Sequence, residues 1–354
     1  MNQDILIALM CPLQPCSVDY LPLIAKLARA AHHRYRRRWT KRFAKKPVRW
    51  IFEFAYGVLK LGGSASVTLQ TENGDLRAFF DARKTHFGNL YFGHDAAGYE
   101  PDVSALLSSL LTDNRTFFDI GANWGYFTFY AVAIPHYHGL IHSFEPVPAT
   151  RGDLQGLVDG FGLQQRVTVH GVALSSSAGT AVMAVHDKET GLNRITGSGV
   201  GREGSDKVDV PMIRMDDLGL SPDVIKMDVE DHEFEALSGA RVTLEKSRPF
   251  IIVESWLTLE KPQRTLRALR LLEQSGYLLF QPCWSIRMDG DVAIFPNPGQ
   301  HMPGPDCRLA LVQFRSEQRF MLATQMNVFA CHASRVDELE ADGFKVMGGA
   351  DESG

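Results

Sequence analysis

Residues 116–130, TFFDIGANWGYFTFY, decide how the rest of this chain reads. Phe117, Phe118 and Ile120 form a short apolar run suited to a buried strand. The turn Asp119-Ile-Gly121-Ala122-Asn123-Trp-Gly125 follows, and a helix pattern opens directly at Tyr126. In a parallel sheet such a strand end offers a ligand the free backbone N–H groups of a helix N-terminus. Gly121 and Gly125 lack a Cβ, so the chain can turn tightly and a ligand can approach the backbone. G-x-N-x-G stands where a dinucleotide site has G-x-G-x-x-G, which argues against NAD and for S-adenosylmethionine (SAM).

Outward from this turn, strand and helix patterns alternate. Strands are expected at 116–120, 140–145, 166–172, 223–228, 249–254 and 277–281, with a last one at 327–332. Helices are expected at about 124–134, 148–160, 232–246 and 261–275. This alternation predicts an α/β fold, a doubly wound, mostly parallel sheet of seven strands with helices on both faces. Between 180 and 212, AVMAVHD and KVDVPMI flank a Gly-rich stretch and predict a β-hairpin excursion. Upstream, VTLQTENGDLRAFF carries an Asn-Gly hairpin signal and VSALLSSLL a helix. The expected division is a basic amphipathic appendage (1–62), a β-rich lead-in with a helix (63–115), the α/β domain (116–332), and an acidic tail (333–354) that frays.

With 354 residues, 45% of them hydrophobic, the chain can bury a large core. Its net charge of −4 argues against a nucleic-acid partner. Charge is unevenly placed, since residues 34–49 carry nine Lys/Arg and no acid. Leu21, Ile24, Leu27, Ala31, Tyr35, Trp39 and Phe43 recur at helical steps, and WIFEFAYGVL (50–59) follows. Residues 21–59 therefore suit peripheral binding to an anionic membrane, or packing of the apolar stripe on the main domain. No segment reaches the ~18 apolar residues that span a bilayer. Five cysteines (Cys11, Cys16, Cys283, Cys307, Cys331) without CxxC spacing fit a reduced, cytoplasmic protein, and Asp4 argues against a signal peptide.

Several polar residues fall where such a sheet presents its ligand edge. Glu145 ends the second strand, 26 residues after Asp119 and just before Pro146, where an acid accepts ribose hydroxyls. Asp119 orients the turn or reaches the SAM amino group through water. In the fourth strand and its exit, Lys226, Asp228 and Glu230 share one face by the two-residue period. A lysine there is costly to bury unless it is paired. Glu230 and Glu233 also complement a helix start. Glu254 ends the fifth strand beside Asp228. No metal site is expected, because His136, His138 and His142 lack a carboxylate at ligand spacing.

Taken together, TFFDIGANWGYFT, SFEPVP, VALSSSAGTAVM, VDVPMIRMDDL, VIKMDVEDHEFEALSGA and PFIIVE resemble the FkbM family of SAM-dependent methyltransferases in order and spacing. The lead-in Gly98-Tyr99-Glu100-Pro101 fits as well, so the resemblance covers roughly residues 98–282. It implies a class I, Rossmann-like methyltransferase sheet and methyl transfer to a hydroxyl oxygen of a sugar, glycan or polyketide-like product. It also implies that Asp119, Gly121, Ala122, Asn123, Gly125, Tyr126, Glu145, Pro146 and Ala173 face SAM. Lys226, Asp228, Glu230 and Glu233 match the string K-x-D-x-E-G-x-E, in which Asp231 stands here in place of Gly.

Methyl transfer needs an aligned acceptor and a base. Asp228 is the first candidate for the base, with Glu254 and His232 behind it and Lys226 holding the carboxylates. Glu230, Glu233, Asn193 and Arg194 are candidates for acceptor contact. Two rival readings predict other behaviour: a NAD-dependent oxidoreductase would bind NADH, and a non-catalytic SAM-binding protein would bind SAM without turnover.

Overall fold

Short apolar runs make the middle of the molecule. The computed structural model describes residues 16–20, 63–82, 84, 87, 99–185, 194–196, 206–288, 291–296, 307–341 and 345–347. Cys16–Tyr20 (β1), Ser64–Thr71 (β2) and Gly74–Asp81 (β3) form an antiparallel sheet in that order, with β2 and β3 joined at the predicted Asn-Gly turn. Helix Pro101–Leu110 (α1) leads to Phe117–Ile120 (β4), Tyr126–Ala133 (α2), Ile141–Phe144 (β5), Pro148–Gly160 (α3) and Val167–His170 (β6). Ala173–Leu174 (β7), Gly179–Val185 (β8), Arg194–Thr196 (β9) and Asp206–Ile213 (β10) form a separate sheet, ordered β7-β10-β8-β9, which is the excursion the sequence predicts. The chain then continues through Val224–Met227 (β11), Glu233–Ser238 (α4), Arg241–Lys246 (α5), Phe250–Trp256 (β12) and Pro262–Gln274 (α6). It ends with Tyr277–Met288 (β13), Asp291–Pro296 (β14), Cys307–Phe314 (β15), Gln325–His332 (β16), Val336–Ala341 (α7) and Lys345–Met347 (β17).

The main sheet runs β17-β15-β13-β16-β12-β11-β4-β5-β6, with β14 paired to β13. Strands β6, β5, β4, β11 and β12 are mutually parallel, and β16 enters antiparallel between β12 and β13. Alternate residues face opposite layers. Phe117, Val224 and Ile252 join one core cluster, with α2 and α3 residues and β2 side chains, while Phe118, Ile225 and Ile251 join the other, with α4 to α6 residues. Burial on both faces explains why these strands read as continuous apolar runs. The lead-in hairpin thus shares the core of the main sheet.

Three expectations need correction. The sheet has ten strands among the described residues, not seven: β13 continues past 281 to Met288 and pairs with β14 and β15, and β17 adds to β15. The helix expected over 232–246 is two helices. A Cβ on Gly239 would collide with the carbonyl oxygen of Ser175, and the chain breaks there. The tail does not simply fray, since α7 buries Leu339 completely and β17 pairs in the sheet. The basic arm at 34–49, the stripe at 21–59 and Asn193 lie outside the described residues. No helix among the described residues is long and apolar enough to cross a membrane.

The chain leaves β4 toward β5 and β6 and returns to β11 on the other side, so the strand order reverses at β4. A crevice opens outside the strand ends at such a switch point. Asp216 caps α5, accepting from the backbone N–H groups of Thr243 (2.9 Å) and Val242 (3.1 Å) at its start. Burial alone would raise this carboxyl, yet those hydrogen bonds hold it below its ordinary range. Its contribution is therefore present above the unfolded pKa and lost as pH falls through the depressed one. Asp216→Ala should lower unfolding free energy by about 1–2 kcal/mol at neutral pH, read by urea denaturation, with a smaller difference in acid. An equal difference at both pH values would contradict this.

Candidate active site

A cavity of about 390 Å³ occupies the crevice. The first turn lines it with Gly121, Ala122, Asn123 and Tyr126, and the next two strand exits add Glu145, Pro146 and Ala173. Lys226, Asp228, Glu230, His232 and Glu254 close the other side. Gly121 is at φ +80, where a Cβ would run into the carbonyl oxygen of Asp228. The glycine is thus required by the approach of the turn to the exit of β11, not only by a ligand as the sequence suggested. Gly125 does not line the cavity. At φ +100, its missing Cβ leaves room for Leu154 and Phe129, where α2 packs on α3.

Glu145 is anchored from both sides. Oε2 accepts from the backbone N–H of Asn123 (3.0 Å) and Oε1 from that of Val147 (2.9 Å). Burial pushes its carboxyl up to about 7, against the pull of those hydrogen bonds. A carboxylate offers about four lone-pair directions, so two remain for ligand hydroxyls. Asn123, at φ +53, has a buried side-chain oxygen with no hydrogen-bond partner in the structure. That acceptor suits a donor group on the ligand.

Behind the cavity wall lies a charged core. Asp119 does not line the cavity. It is 1% exposed, and its Oδ2 accepts from Thr128 Oγ1 (2.7 Å), which also meets Ser143 Oγ (2.7 Å). Lys226 pairs with Asp119 in the β4–β11 register, and its Nζ lies 3.4 Å from Asp228 Oδ2 and 4.9 Å from the centre of the Phe127 ring. Burial alone would lower the ammonium's pKa, but Asp228, Asp119, Glu100 and Glu254 together raise it, so it stays charged. Glu254 accepts from Gln325 Nε2 (2.6 Å), and burial followed by the nearby Asp228 pushes its carboxyl up to about 7. Asp228, Glu230 and Glu254 each offer an oxygen within 4.8 Å of the others.

The exit of β11 is a tight turn. Glu230 and Asp231 are both left-handed, at φ +52 and +75. Glu233 does not reach the cofactor cavity. Its Oε1 accepts from the backbone N–H groups of Val229 and Asp231, both at 3.3 Å, and so fixes the turn. His232 Nε2 lies 3.0 Å from Ser175 Oγ, and burial lowers its pKa, so the ring is neutral near pH 7. Arg194 belongs to β9 in the second sheet.

The sequence did not single out Tyr99, Trp256 or Gln325, all of which line the cavity. Trp256 had a signal, two residues beyond Glu254 on the same strand. Tyr99 sat unassigned in the lead-in Gly98-Tyr99-Glu100-Pro101, and here its N–H donates to Tyr126 Oη (3.1 Å). Gln325 had none, because β16 reaches the site by inserting between β12 and β13. Arg319, 0% exposed, ties these strand ends together by donating to Ser255 Oγ (2.9 Å), Ser255 O (2.6 Å) and Ala323 O (2.7 Å).

These features define a cavity at the switch point of a mixed α/β sheet. Residues 119–279, a little under half of the chain, match the family model described as the methyltransferase FkbM domain, which supports SAM as the cofactor. No curated protein matches the chain. Among solved structures it is similar to the methyltransferase FkbM from Methylobacillus flagellatus, at 19% identity and a TM-score of 0.34, over 47% of this chain and 41% of that one. The match therefore spans less than half the length of that protein. A SAM-dependent O-methyltransferase from Thermotoga maritima is 12% identical over 78% of this chain and 80% of its own, with a TM-score of 0.38. Fibrillarin from Aeropyrum pernix, in complex with natively bound SAM, is 12% identical over 75% and 93%, with a TM-score of 0.34.

SAM carries a sulfonium charge that S-adenosylhomocysteine (SAH) lacks. Ionisation of Glu254 should therefore favour SAM alone, whereas ionisation of Glu145 should affect both ligands alike. Calorimetry should show the SAM-to-SAH affinity ratio rising by roughly three- to tenfold between about pH 6 and pH 8. Glu254→Gln should flatten that rise. A ratio independent of pH in the parent would remove Glu254 from the sulfonium's surroundings.

Proposed function

We propose that this protein transfers the methyl group of SAM to a hydroxyl oxygen of a sugar or polyketide-like acceptor. The observation that carries the reading is the position of Asp228 and Glu254. Glu254, His232 and Trp256 line both the cofactor cavity and a neighbouring one of about 580 Å³. A donor held on one side and an acceptor on the other would meet at this junction.

The residues present fit SAM. Glu145 would hold the ribose hydroxyls, the unpartnered oxygen of Asn123 would accept from the ligand, and Gly121 and Ala122 would lie against its backbone-facing edge. When bound, SAM supplies a methyl group already activated as a sulfonium. The protein then has to align an oxygen and accept one proton. Alignment supplies the larger share, up to about 7–11 kcal/mol in well-oriented systems, and a positioned base adds roughly 10²–10⁴-fold. Asp228 takes the hydroxyl proton. Lys226, 3.4 Å away, holds that carboxylate in place before the transfer. Glu254 receives the proton from Asp228 and releases it toward the second cavity.

Asp228→Asn keeps the shape and removes the base. With an acceptor found by screening sugars, glycans and polyketides for a mass gain of one methylene unit, turnover should fall by about 10²-fold or more while the SAM dissociation constant changes by less than about threefold. Turnover within about threefold of the parent would move the base to Glu254 or His232. Stoichiometric NADH binding would sink the whole reading.

A further inference from the structure

We infer that Gln325 is a positioning residue. It holds the Glu254 carboxylate at the junction of the two cavities with a neutral donor, so that the charge stays available to the sulfonium of SAM. This rests on the reading of that junction as the site of methyl transfer. The geometry comes from the pairing of β12 with β16. Glu254 lies opposite Asn327 in the register, and Trp256 lies opposite Gln325. Gln325 and Asn327 are two residues apart, so their side chains leave β16 on one face. Asn327 Nδ2 donates to Asp102 Oδ2 (3.1 Å), while Gln325 Nε2 donates diagonally to Glu254 Oε1 (2.6 Å). One strand thus brings two amides to two carboxylates.

The surroundings of Glu254 explain why it needs such a partner. Asp228 and Glu230, from the exit of β11, each offer an oxygen within 4.8 Å of it. Lys226 on β11 and Tyr99 and Glu100 ahead of α1 also interact with it, and His232 before α4 lines the same two cavities. Of these groups Lys226 is the cation near neutral pH, since burial keeps the His232 ring neutral. Its ammonium is engaged 3.4 Å away by Asp228. Burial, and then the nearby Asp228, push the Glu254 carboxyl up to about 7, whereas hydrogen bonds from Gln325 and then the Trp256 indole pull it down. Both of those donors are neutral.

A lysine or arginine at position 325 would grip the carboxylate more firmly. It would also set a positive charge against the sulfonium and offset the interaction that separates SAM from SAH. An amide fixes the carboxylate without that penalty. The hydrogen bond also has a purely structural reading, as a staple between β12 and β16. Arg319 already ties those strand ends, donating to Ser255 and to the carbonyl groups of Ala323 and Thr324. The two readings separate in ligand titration, because a staple acts on the fold and not on the charge seen by the ligand.

The test uses the full chain and calorimetry with SAM and SAH between about pH 5.5 and pH 9.5. In the parent the SAM-to-SAH affinity ratio should rise with a midpoint near the Glu254 value of about 7, since Glu145 acts on both ligands alike. Gln325→Met keeps the length of the side chain and removes the donor. Its midpoint should move up by roughly 0.5–1 pH unit, so that the ratio at pH 7 falls about two- to threefold. Gln325→Lys should move the midpoint down and lower the alkaline plateau, because an ammonium stabilises the carboxylate while offsetting its charge. SAH affinity of Gln325→Met should stay within about twofold of the parent's. A Gln325→Met curve superimposed on the parent's, or midpoints moving the same way in both variants, would overturn the inference. A larger loss of SAH affinity would overturn it too, by showing that Gln325 shapes the cavity itself. In each of these cases a pH-dependent parent ratio leaves the methyl-transfer junction standing. A parent ratio that does not change with pH removes the sulfonium from that junction, and this inference with it.

Discussion

A single buried ammonium organises this site. Lys226 is 5% exposed and lies between the carboxylates of two adjacent strands, with Asp119 beside it in the register and Asp228 at its own strand's exit. None of these charges would be tolerated alone. Removing one partner of a buried pair costs about 3–5 kcal/mol, because the remaining charge is left uncompensated. The cluster therefore holds β4 and β11 in one register at the point where the sheet changes direction. The same contact fixes the position of Asp228, the carboxylate of the cluster that lines the cavity.

The geometry around that cluster follows from it. The β11 exit must pass close to the turn after β4, and the contact between Asp228 O and Gly121 leaves no room for a Cβ. The same turn sends the N–H of Asn123 to Glu145, which places the expected ribose acceptor two strands from the expected base, across β4. Arg319 does similar work on the other side. It is a second fully buried cation, satisfied by backbone carbonyl groups and a hydroxyl, and it fixes the ends of β12 and β16 that carry Glu254, Trp256 and Gln325. Burial lowers its pKa to about 10, still far above neutrality.

Local signals made the parallel half of the sheet legible. Phe117, Phe118, Ile120 and the run Phe250–Val253 sit within one residue of the expected strands, because both faces are buried and the pattern is continuous. Glu145, Lys226 and Asp228 were legible for the same reason, as polar residues at the ends of apolar runs. The antiparallel half was not. β15 and β17 carry mixed patterns (Arg308, Gln313 and Lys345 interrupt them) and take their place only through long-range pairing, β15 with β13 and β17 with β15. The need for glycine at 239 was hidden, because the group a Cβ would meet there is a carbonyl more than sixty residues earlier in the chain. Glu233, expected as an acceptor contact, lines the second cavity and also holds the loop by accepting from the backbone N–H groups of Val229 and Asp231.

Every role assigned to this site depends on where the cofactor lies. A crystal structure of the SAH complex tests this most directly. It should show the ribose hydroxyls on Glu145, the adenosine and homocysteine portions along Gly121 to Asn123, and the sulfur directed toward the Asp228–Glu254 junction with the second cavity. Ligand density elsewhere, or a sulfur directed away from those carboxylates, would contradict the assignment of the switch-point cavity as the site of methyl transfer.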